Sequence, residues 1–174
     1  MANATPRPGR GRRLPSREEL RIWREFVETT EALRSRVASR LQVESSLTPG
    51  DYAVLLALSE AEDRQLRSSE LAARIGWERS RLSHHLGRME RRGLVRRQEC
   101  AAEPRGAEVH LTPAGAAAFG GATAPHLRAI RELFVDALTA DQLRAAGEIA
   151  AALRAHLDAA PAAPGGRQST RPAP

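Results

Sequence analysis

The sequence contains no lysine, a single cysteine and very few aromatic residues. Because there is no lysine, all 27 of these basic residues are arginines. The planar guanidinium of arginine suits bidentate contacts with phosphate and with guanine. A GC-rich gene would also favour arginine over lysine, but such a bias does not explain where the positive charge lies. The single cysteine, Cys100, excludes an internal disulfide and a CxxC motif. Because aromatics make up only 3% of the chain, the core must consist of Leu, Ala, Val and Ile.

Several classes of protein are disfavoured by what is missing. No apolar run approaches a membrane span and no signal-peptide core follows the basic start, so we expect a cytoplasmic protein with no membrane partner. There is no nucleophile–base set, glycine-rich phosphate loop or pair of acids, so we expect neither an enzyme nor a cofactor. Metal-ligand spacing is absent among the five histidines, and we expect no metal site; they are His84, His85, His110, His126 and His156.

Two short amphipathic helices are predicted between Ser68 and Arg92, with a tight turn at Gly76 between them. In each helix, apolar residues recur at a spacing that puts them on one face. These are Leu71, Ala72 and Ile75 in the first helix, and Leu82, Leu86 and Met89 in the second. The opposite face of the second helix is polar and basic, with Arg79, Ser80, Arg81, Ser83, His84, Arg88 and Arg91. Gly93 ends this helix, because glycine enters a left-handed cap without steric cost.

Two β-like runs follow, Leu94–Cys100 and Ala107–Leu111, and the turn between them carries Arg105. Leu66 and Arg67 are candidates for a short third strand. Helix, turn, basic helix and arginine-tipped hairpin predict a winged helix-turn-helix. The pattern therefore indicates a protein that binds double-stranded DNA.

Long helices are predicted on both sides of this module. Ser16 and Glu19 form a capping box that starts a helix of about 26 residues, about 39 Å long, whose broad apolar stripe favours a dimer contact. Thr48 and Pro49 start a helix that is apolar nearly all round and should be buried beneath the helix-turn-helix.

Two more helices should follow the wing. Thr112 and Pro113 start the first, in which Gly120-Gly121 and Pro125 predict a break or kink. Thr139 caps the second. We therefore expect a mainly α protein with a small β-wing. Its expected segments are a disordered basic tail at 1–15, an N-terminal dimerisation helix at 16–46 and a winged helix-turn-helix at 47–115. C-terminal dimerisation helices at 116–158 and a disordered tail at 159–174 should follow.

The chain resembles the MarR family of bacterial transcription regulators over about residues 18–157. The resemblance rests on SSELAARIGWERSRLSHHLGRMERRGLVRR, on the wing segment EPRGAEVHLTPAG and on the order of the flanking helices. It implies a homodimer on palindromic DNA, usually a repressor released by a small aromatic or anionic effector. It also implies a recognition helix at Glu78–Arg92 and a wing-tip arginine at Arg105. Glu103 departs from the family's usual Asp, and Glu78 stands where a small capping residue is common.

The predicted DNA-binding residues are Ser68, Ser69, Arg79, Ser80, Arg81, Ser83, His84, Arg88 and Arg105. Those of the recognition helix should lie in the major groove, where Arg81 reads base edges, and Arg105 should lie in the minor groove. Ser68 and Ser69 should cap the first helix, a role compatible with holding phosphate. His84 and His85 are expected to form a base-facing surface, whereas Arg91 and Arg92 are expected at a solvated helix end.

The remaining residues of interest have two readings each. Trp23, Phe26 and Tyr52 either line an effector-binding crevice or belong to the ordinary core. Trp77 is predicted to anchor the turn on the core rather than to stack on a ligand. Cys100 is expected to be structural, because a thiol sensor needs a positive and partly exposed setting. A protein-interaction module that does not bind DNA is the alternative function.

Overall fold

The computed structural model describes residues 13–99 and 107–159. Helices dominate these residues, and a small antiparallel sheet accompanies them, which confirms the predicted mainly α fold with a β-wing. The elements are α1 (Arg17–Ser45), α2 (Pro49–Ser59), β1 (Gln65–Arg67), α3 (Ser68–Ile75), α4 (Arg79–Arg91), β2 (Val95–Glu99), β3 (Ala107–Leu111), α5 (Pro113–Ile130) and α6 (Ala140–Ala159). The chain divides into two compact units between Ile130 and Arg131.

Helix α1 begins where the capping box predicts. The Ser16 hydroxyl accepts a hydrogen bond from the Glu19 N–H at 3.2 Å, and the Glu19 carboxylate accepts one from the Ser16 N–H at 2.7 Å. The helix runs for 29 residues, a few more than predicted, and ends at Ser46 in the left-handed conformation. Arg13, predicted to belong to the tail, donates to Glu19 at 3.3 Å. Residues 1–12 of that tail, and residues 160–174, lie outside the described residues.

Helix α2 forms the centre of the core. Its first turn is capped by Thr48, whose hydroxyl accepts from the Asp51 N–H at 3.1 Å. As predicted, the helix is buried nearly all round, although Leu56 reaches the surface. The side chains packed most completely around it come from α2 itself, from the helix-turn-helix and from the sheet: Leu47, Val54, Leu55, Leu58, Leu71, Leu82, Leu86, Met89, Val95 and Val109.

The sheet has the strand order β1-β3-β2, with both pairs antiparallel. Leu66 of β1 pairs with Val109 of β3, so the short third strand is confirmed. On the other side, Val95 pairs with Leu111 and Glu99 with Ala107. The predicted turn, with Cys100, Glu103 and Arg105, lies between the two described segments and outside both.

The start of α5 is joined closely to the base of the wing. The Thr112 hydroxyl donates to the Gly93 carbonyl at 2.6 Å and accepts from the Gly115 N–H at 2.9 Å, which caps the helix. A Cβ atom at Gly115 would lie 2.0 Å from the carbonyl oxygen of Leu94. Only glycine allows the two backbones to approach this closely.

Of the predicted break or kink at Gly120-Gly121 and Pro125, the break is wrong, because α5 is continuous from Pro113 to Ile130, whereas the kink stays a prediction. Each glycine costs an α-helix only about 1 kcal/mol relative to alanine. Proline costs more, but the buried Ala122 and Ala129 on either side of it pack the helix in place. The irregularity comes later, as a π-turn at Arg131–Val135 in which the Asp136 N–H donates to the Arg131 carbonyl at 2.8 Å.

In the second unit, α6 begins as predicted at Thr139. The Thr139 N–H donates to Gln142 at 2.9 Å, and the Gln142 N–H donates back to the threonine hydroxyl at 3.3 Å. Ile149, Leu153 and Leu157 follow one another at helical spacing and are exposed in the single chain. This apolar stripe therefore has no cover within the described part of its own unit.

Candidate nucleic-acid interface

Helix α4 separates its residues into two faces. Leu82, Leu86 and Met89 are almost fully buried and hold the helix on the core. The predicted DNA-contacting residues of this helix lie together on the exposed side: Arg79, Ser80, Arg81, Ser83, His84 and Arg88. Among the described residues, no carboxylate pairs with the three arginines of this set, Arg79, Arg81 and Arg88. The face is therefore both exposed and positively charged.

Neither helix of the helix-turn-helix begins with a side-chain cap. The N-cap of α3 is Arg67, and neither Ser68 nor Ser69 caps the helix, so the predicted capping role is wrong. Both serines are half-buried in the first turn, where backbone N–H groups lack helical partners. The N-cap of α4 is Glu78, whose side chain makes no capping bond. These amides, with the positive end of the helix dipole, suit a phosphate.

Trp77 lies in the turn between α3 and α4. It is packed against the core, which agrees with its predicted role as an anchor. Its ring also supports Arg81, whose guanidinium carbon lies 4.2 Å from the ring centroid. This cation–π contact holds an arginine of the exposed face against a fixed aromatic surface.

The predicted base-facing position of His85 is wrong, because its side chain is buried. His85 follows Leu82 by three residues and precedes Met89 by four, so it lies on the apolar face of α4. Its ring packs edge-on against Trp77, with centroids 5.1 Å apart and an interplanar angle of 88°. Nδ1 lies 2.9 Å from a terminal guanidinium nitrogen of Arg88. His85 thus connects the core to the exposed face.

Asp51 is a buried carboxylate that the sequence analysis did not single out. Only 2% of the residue is exposed, yet Arg92 donates to its Oδ2 at 2.6 Å and the Thr48 N–H donates to the same oxygen at 2.9 Å. Nε2 of His85 lies 3.0 Å from Oδ1, a close electrostatic contact without hydrogen-bond geometry. Burial raises the pKa of the Asp51 carboxyl, but the contacts with His85, Thr48 and Arg92 outweigh it and hold the pKa well below its usual range.

Arg92 is therefore not the solvated helix end that the sequence suggested. Besides its bond to Asp51, it donates to the Ser46 carbonyl at 2.8 Å. Ser46 ends α1 and Arg92 follows α4, so a single guanidinium joins the long N-terminal helix, the start of α2 and the end of α4. The capping of α2 by Thr48 and Asp51 could be predicted from neighbouring residues. The contacts of Asp51 with His85 and Arg92, 34 and 41 residues away, could not.

A second arginine joins the wing to α4. Arg97 of β2 donates from its backbone N–H and from its guanidinium to the carboxylate of Glu90, at 2.9, 2.9 and 2.7 Å. These hydrogen bonds, first from the guanidinium and then from the backbone, hold the pKa of Glu90 below its usual range. The first strand of the wing is therefore fixed relative to α4. Neither residue was predicted to have a role.

The three predicted effector-binding residues are not enclosed together within one chain. Trp23 and Phe26 lie on α1 and are 65% and 45% exposed. Tyr52 is half-buried beside Phe119 and His126, with ring centroids 5.2 and 4.4 Å away. Burial lowers the pKa of His126, and its Nδ1 has no hydrogen-bond partner among the described residues.

The described residues hold neither a candidate metal site nor a membrane-spanning helix. Residues 13–99 and 107–159 contain no group of three His, Cys, Asp or Glu side chains placed to hold a metal ion. Within these same ranges, no helix is sufficiently long and apolar to cross a membrane.

Comparison with known proteins gives a consistent result. The model of the MarR family matches residues 45–105, whereas no curated protein matches the sequence. The chain is 32% identical to AbsC, a MarR family transcriptional regulator from Streptomyces coelicolor, with 85% of this chain and 99% of AbsC covered and a TM-score of 0.76.

Two further structures are similar. Sco3205, a MarR family transcriptional regulator from the same organism solved in complex with DNA, is also 32% identical, with 88% and 96% of the two chains covered and a TM-score of 0.78. The organohalide-sensing regulator RdhR-CbdbA1625, in its 2,4-dichlorophenol-bound form, is 18% identical and shares the fold, with 90% and 89% covered and a TM-score of 0.71.

The Asp51 contacts predict a pH-dependent contribution to stability. Because the pKa is lower in the folded chain than its ordinary value of 3.8, the contribution is fully present above that value, declines as the pH falls below it, and is lost only when the pH falls through the lower pKa of the folded chain. Asp51→Asn should lower the unfolding free energy by about 2–3 kcal/mol at pH 7, and by somewhat less at pH 3, where the unfolded chain is largely protonated but the folded carboxyl is still ionised.

Urea denaturation at pH 7, 5 and 3 and one fixed protein concentration measures this difference. Glu62→Gln, at an exposed position, is the matched control and should stay within about 0.5 kcal/mol of the parent. A loss for Asp51→Asn that is the same at pH 3 as at pH 7 would contradict the assignment.

Proposed function

Because this chain belongs to the MarR family of DNA-binding transcriptional regulators, we propose that it is a homodimeric repressor that binds a palindromic operator. The observation that carries the proposal is the basic face of α4, on which Arg79, Arg81 and Arg88 are exposed without carboxylate partners in the described chain. Arginine at such positions recognises phosphate and the major-groove edge of guanine.

In this proposal α4 enters the major groove. Arg79, Ser80 and Arg81 come from its first turn, where a recognition helix approaches the base edges. Ser83 and His84 extend the contact surface along the same face. The first turn of α3, with Ser68 and Ser69, offers backbone N–H groups to a phosphate on the flank of the groove. Phosphate contacts would fix the register, and α4 would read the sequence.

The wing would contact the adjacent minor groove through Arg105. Support for this placement comes from the bonds between Arg97 and Glu90, which fix β2 beside α4. An arginine inserted into a narrow minor groove responds to its width and negative potential more than to base identity. Major- and minor-groove contacts should therefore differ in what they discriminate.

The support for a homodimer is the apolar surface left uncovered in the single chain. On α1, Leu20, Ile22, Trp23, Phe26 and Val27 are exposed, and on α6 so are Ile149, Leu153 and Leu157. Contiguous apolar stripes of this kind are unusual on a monomer in water. A second copy of the chain, related by a two-fold axis, would cover the same stripe on both partners.

The principal test is selection of duplexes from a random pool by the full chain. We expect an inverted repeat whose half-sites are about one helical turn apart, and two chains per duplex by light scattering. Leu153→Arg should weaken binding to the selected duplex at least about 100-fold, since both half-sites must be engaged together. Ala151→Arg, on the other side of α6, is the matched control. Enrichment of no sequence would favour a protein-interaction module instead.

A second test separates the two kinds of arginine. Arg81→Ala should cost about 1–3 kcal/mol per half-site against the preferred base at one position and less against other bases. Arg105→Ala should weaken binding to most sequences, reduce its salt dependence and lower any preference for A·T flanks. Affinities for the selected duplex and its single-base variants at two salt concentrations measure both effects. Arg128→Ala in α5 is the charge-matched control, and uniform weakening by Arg81→Ala would show a phosphate contact.

We further propose that a small aromatic or anionic effector releases the DNA. Support comes from Trp23 and Phe26, which are exposed aromatics on α1, and from Tyr52 beside the unpaired Nδ1 of His126. A screen of phenols and aromatic carboxylates should find compounds that raise the melting temperature and also release the selected duplex. If no compound does both, control of the regulator's abundance is the simpler explanation.

A further inference from the structure

Two of the exposed arginines of α4 rest on side chains that belong to the core. Arg88 donates to Nδ1 of His85 at 2.9 Å, and Arg81 stacks on Trp77 at 4.2 Å. His85 and Trp77 in turn pack edge to face with their centroids 5.1 Å apart. One aromatic pair, Trp77 and His85, therefore contacts both arginines on the side that faces the core.

The orientation of the His85 ring is defined from both sides. A guanidinium has only donors, so Nδ1 must accept the hydrogen bond from Arg88. The ring hydrogen then belongs on Nε2, which lies 3.0 Å from the Asp51 carboxylate, an acceptor. Exchanging the roles of the two nitrogens would place a donor against Arg88 and a lone pair against Asp51. Only one tautomer therefore fits both neighbours.

The space around this ring leaves it little freedom to move. A Cβ atom at Gly50 would lie 2.7 Å from Cη2 of Trp77 and 2.9 Å from Cε1 of His85. Both rings therefore pack directly on the backbone of the first turn of α2. Asp51, the next residue, is itself held by Arg92 and by the Thr48 N–H. A row of contacts thus runs from the junction of α1 and α2 to the exposed face of α4.

We propose that His85 is a positioning residue for DNA recognition, which holds Arg88 in the orientation it needs on the duplex. Gly50 and Asp51 fix His85, and His85 touches no DNA itself. An arginine already oriented in the free protein loses less side-chain freedom on binding than a mobile one. A fixed guanidinium also discriminates better between correct and incorrect base or phosphate positions. This inference rests on the proposed DNA-binding function.

A matched pair of amides tests the role of Nδ1. Asparagine places an acceptor oxygen near the δ position of the ring, where it can still accept from Arg88, but it does not reach Asp51. Glutamine places its amide near the ε position, facing Asp51, and has methylene groups where Arg88 needs an acceptor. We expect His85→Gln to bind the selected duplex about tenfold more weakly than the wild type, and His85→Asn to stay within about twofold.

Combination with Arg88→Ala shows whether His85 acts through Arg88. In that background, His85→Gln should cause no further loss of affinity, because the side chain it positions is absent. Discrimination against single-base variants should fall in parallel with affinity. Melting temperatures and titrated active fractions are recorded for every variant, since a purely structural defect lowers these and adds to the effect of Arg88→Ala.

Gly50→Ala tests the positioning of Arg88 in a second way, for use if His85→Gln folds poorly. It displaces the rings without changing their chemistry, and alanine favours the helix. We expect a loss of discrimination similar to that of His85→Gln.

Four results would overturn the proposal: equal losses for the two amide variants, a loss for His85→Asn alone, an additive effect with Arg88→Ala, or normal discrimination in a folded Gly50→Ala protein. Failure of the wild type to bind any duplex would overturn the proposed function as well, which distinguishes that failure from these four.

Discussion

A carboxylate removed from water must find compensating charge and hydrogen bonds within the protein, and Asp51 finds them in three parts of the chain. Thr48 belongs to the turn before α2, His85 lies in the middle of α4, and Arg92 closes α4 while also holding the end of α1. Moving any of these segments would leave a buried charge without compensation. The placement of α4 on the core therefore depends on this carboxylate as well as on apolar packing, and the exposed basic face depends on the placement of α4.

The elements that could be predicted from sequence are those whose causes are local. Pairs three residues apart, such as Ser16 with Glu19 and Thr139 with Gln142, form the caps that the sequence indicates. The distant partners of Asp51 could not be predicted, because nothing along the chain brings positions 51, 85 and 92 together before the helices pack. His85 is a different case. The spacing of Leu82 and Met89 places it on the buried face, and the expectation failed because residue type was given more weight than periodicity.

A lysine-free composition explains why the cations are arginines, but the structure explains which of them remain available. Arg74, Arg92 and Arg97 are paired with carboxylates of their own chain, at 3.0, 2.6 and 2.7 Å. Those pairs lie where helices and strands meet, and they use the rigid fork of the guanidinium to join elements. Two arginines of the α4 face, Arg88 and Arg81, instead rest on an imidazole and an indole, which hold a cation without neutralising it. Their positive charge is thereby fixed in position and remains available to bind a polyanion.

The contact between Gly115 and the Leu94 carbonyl has a mechanical consequence. Since no side chain separates the two backbones, a rotation of the first turn of α5 would act directly on the base of the wing. Helix α5 has 18 residues and is therefore about 27 Å long, so a rotation of about 5° about Gly115 displaces its far end by about 2 Å. Conversely, a small displacement at Ile130 turns the strands β2 and β3 through the same angle. A small movement at the far end of α5 would therefore change the orientation of the wing.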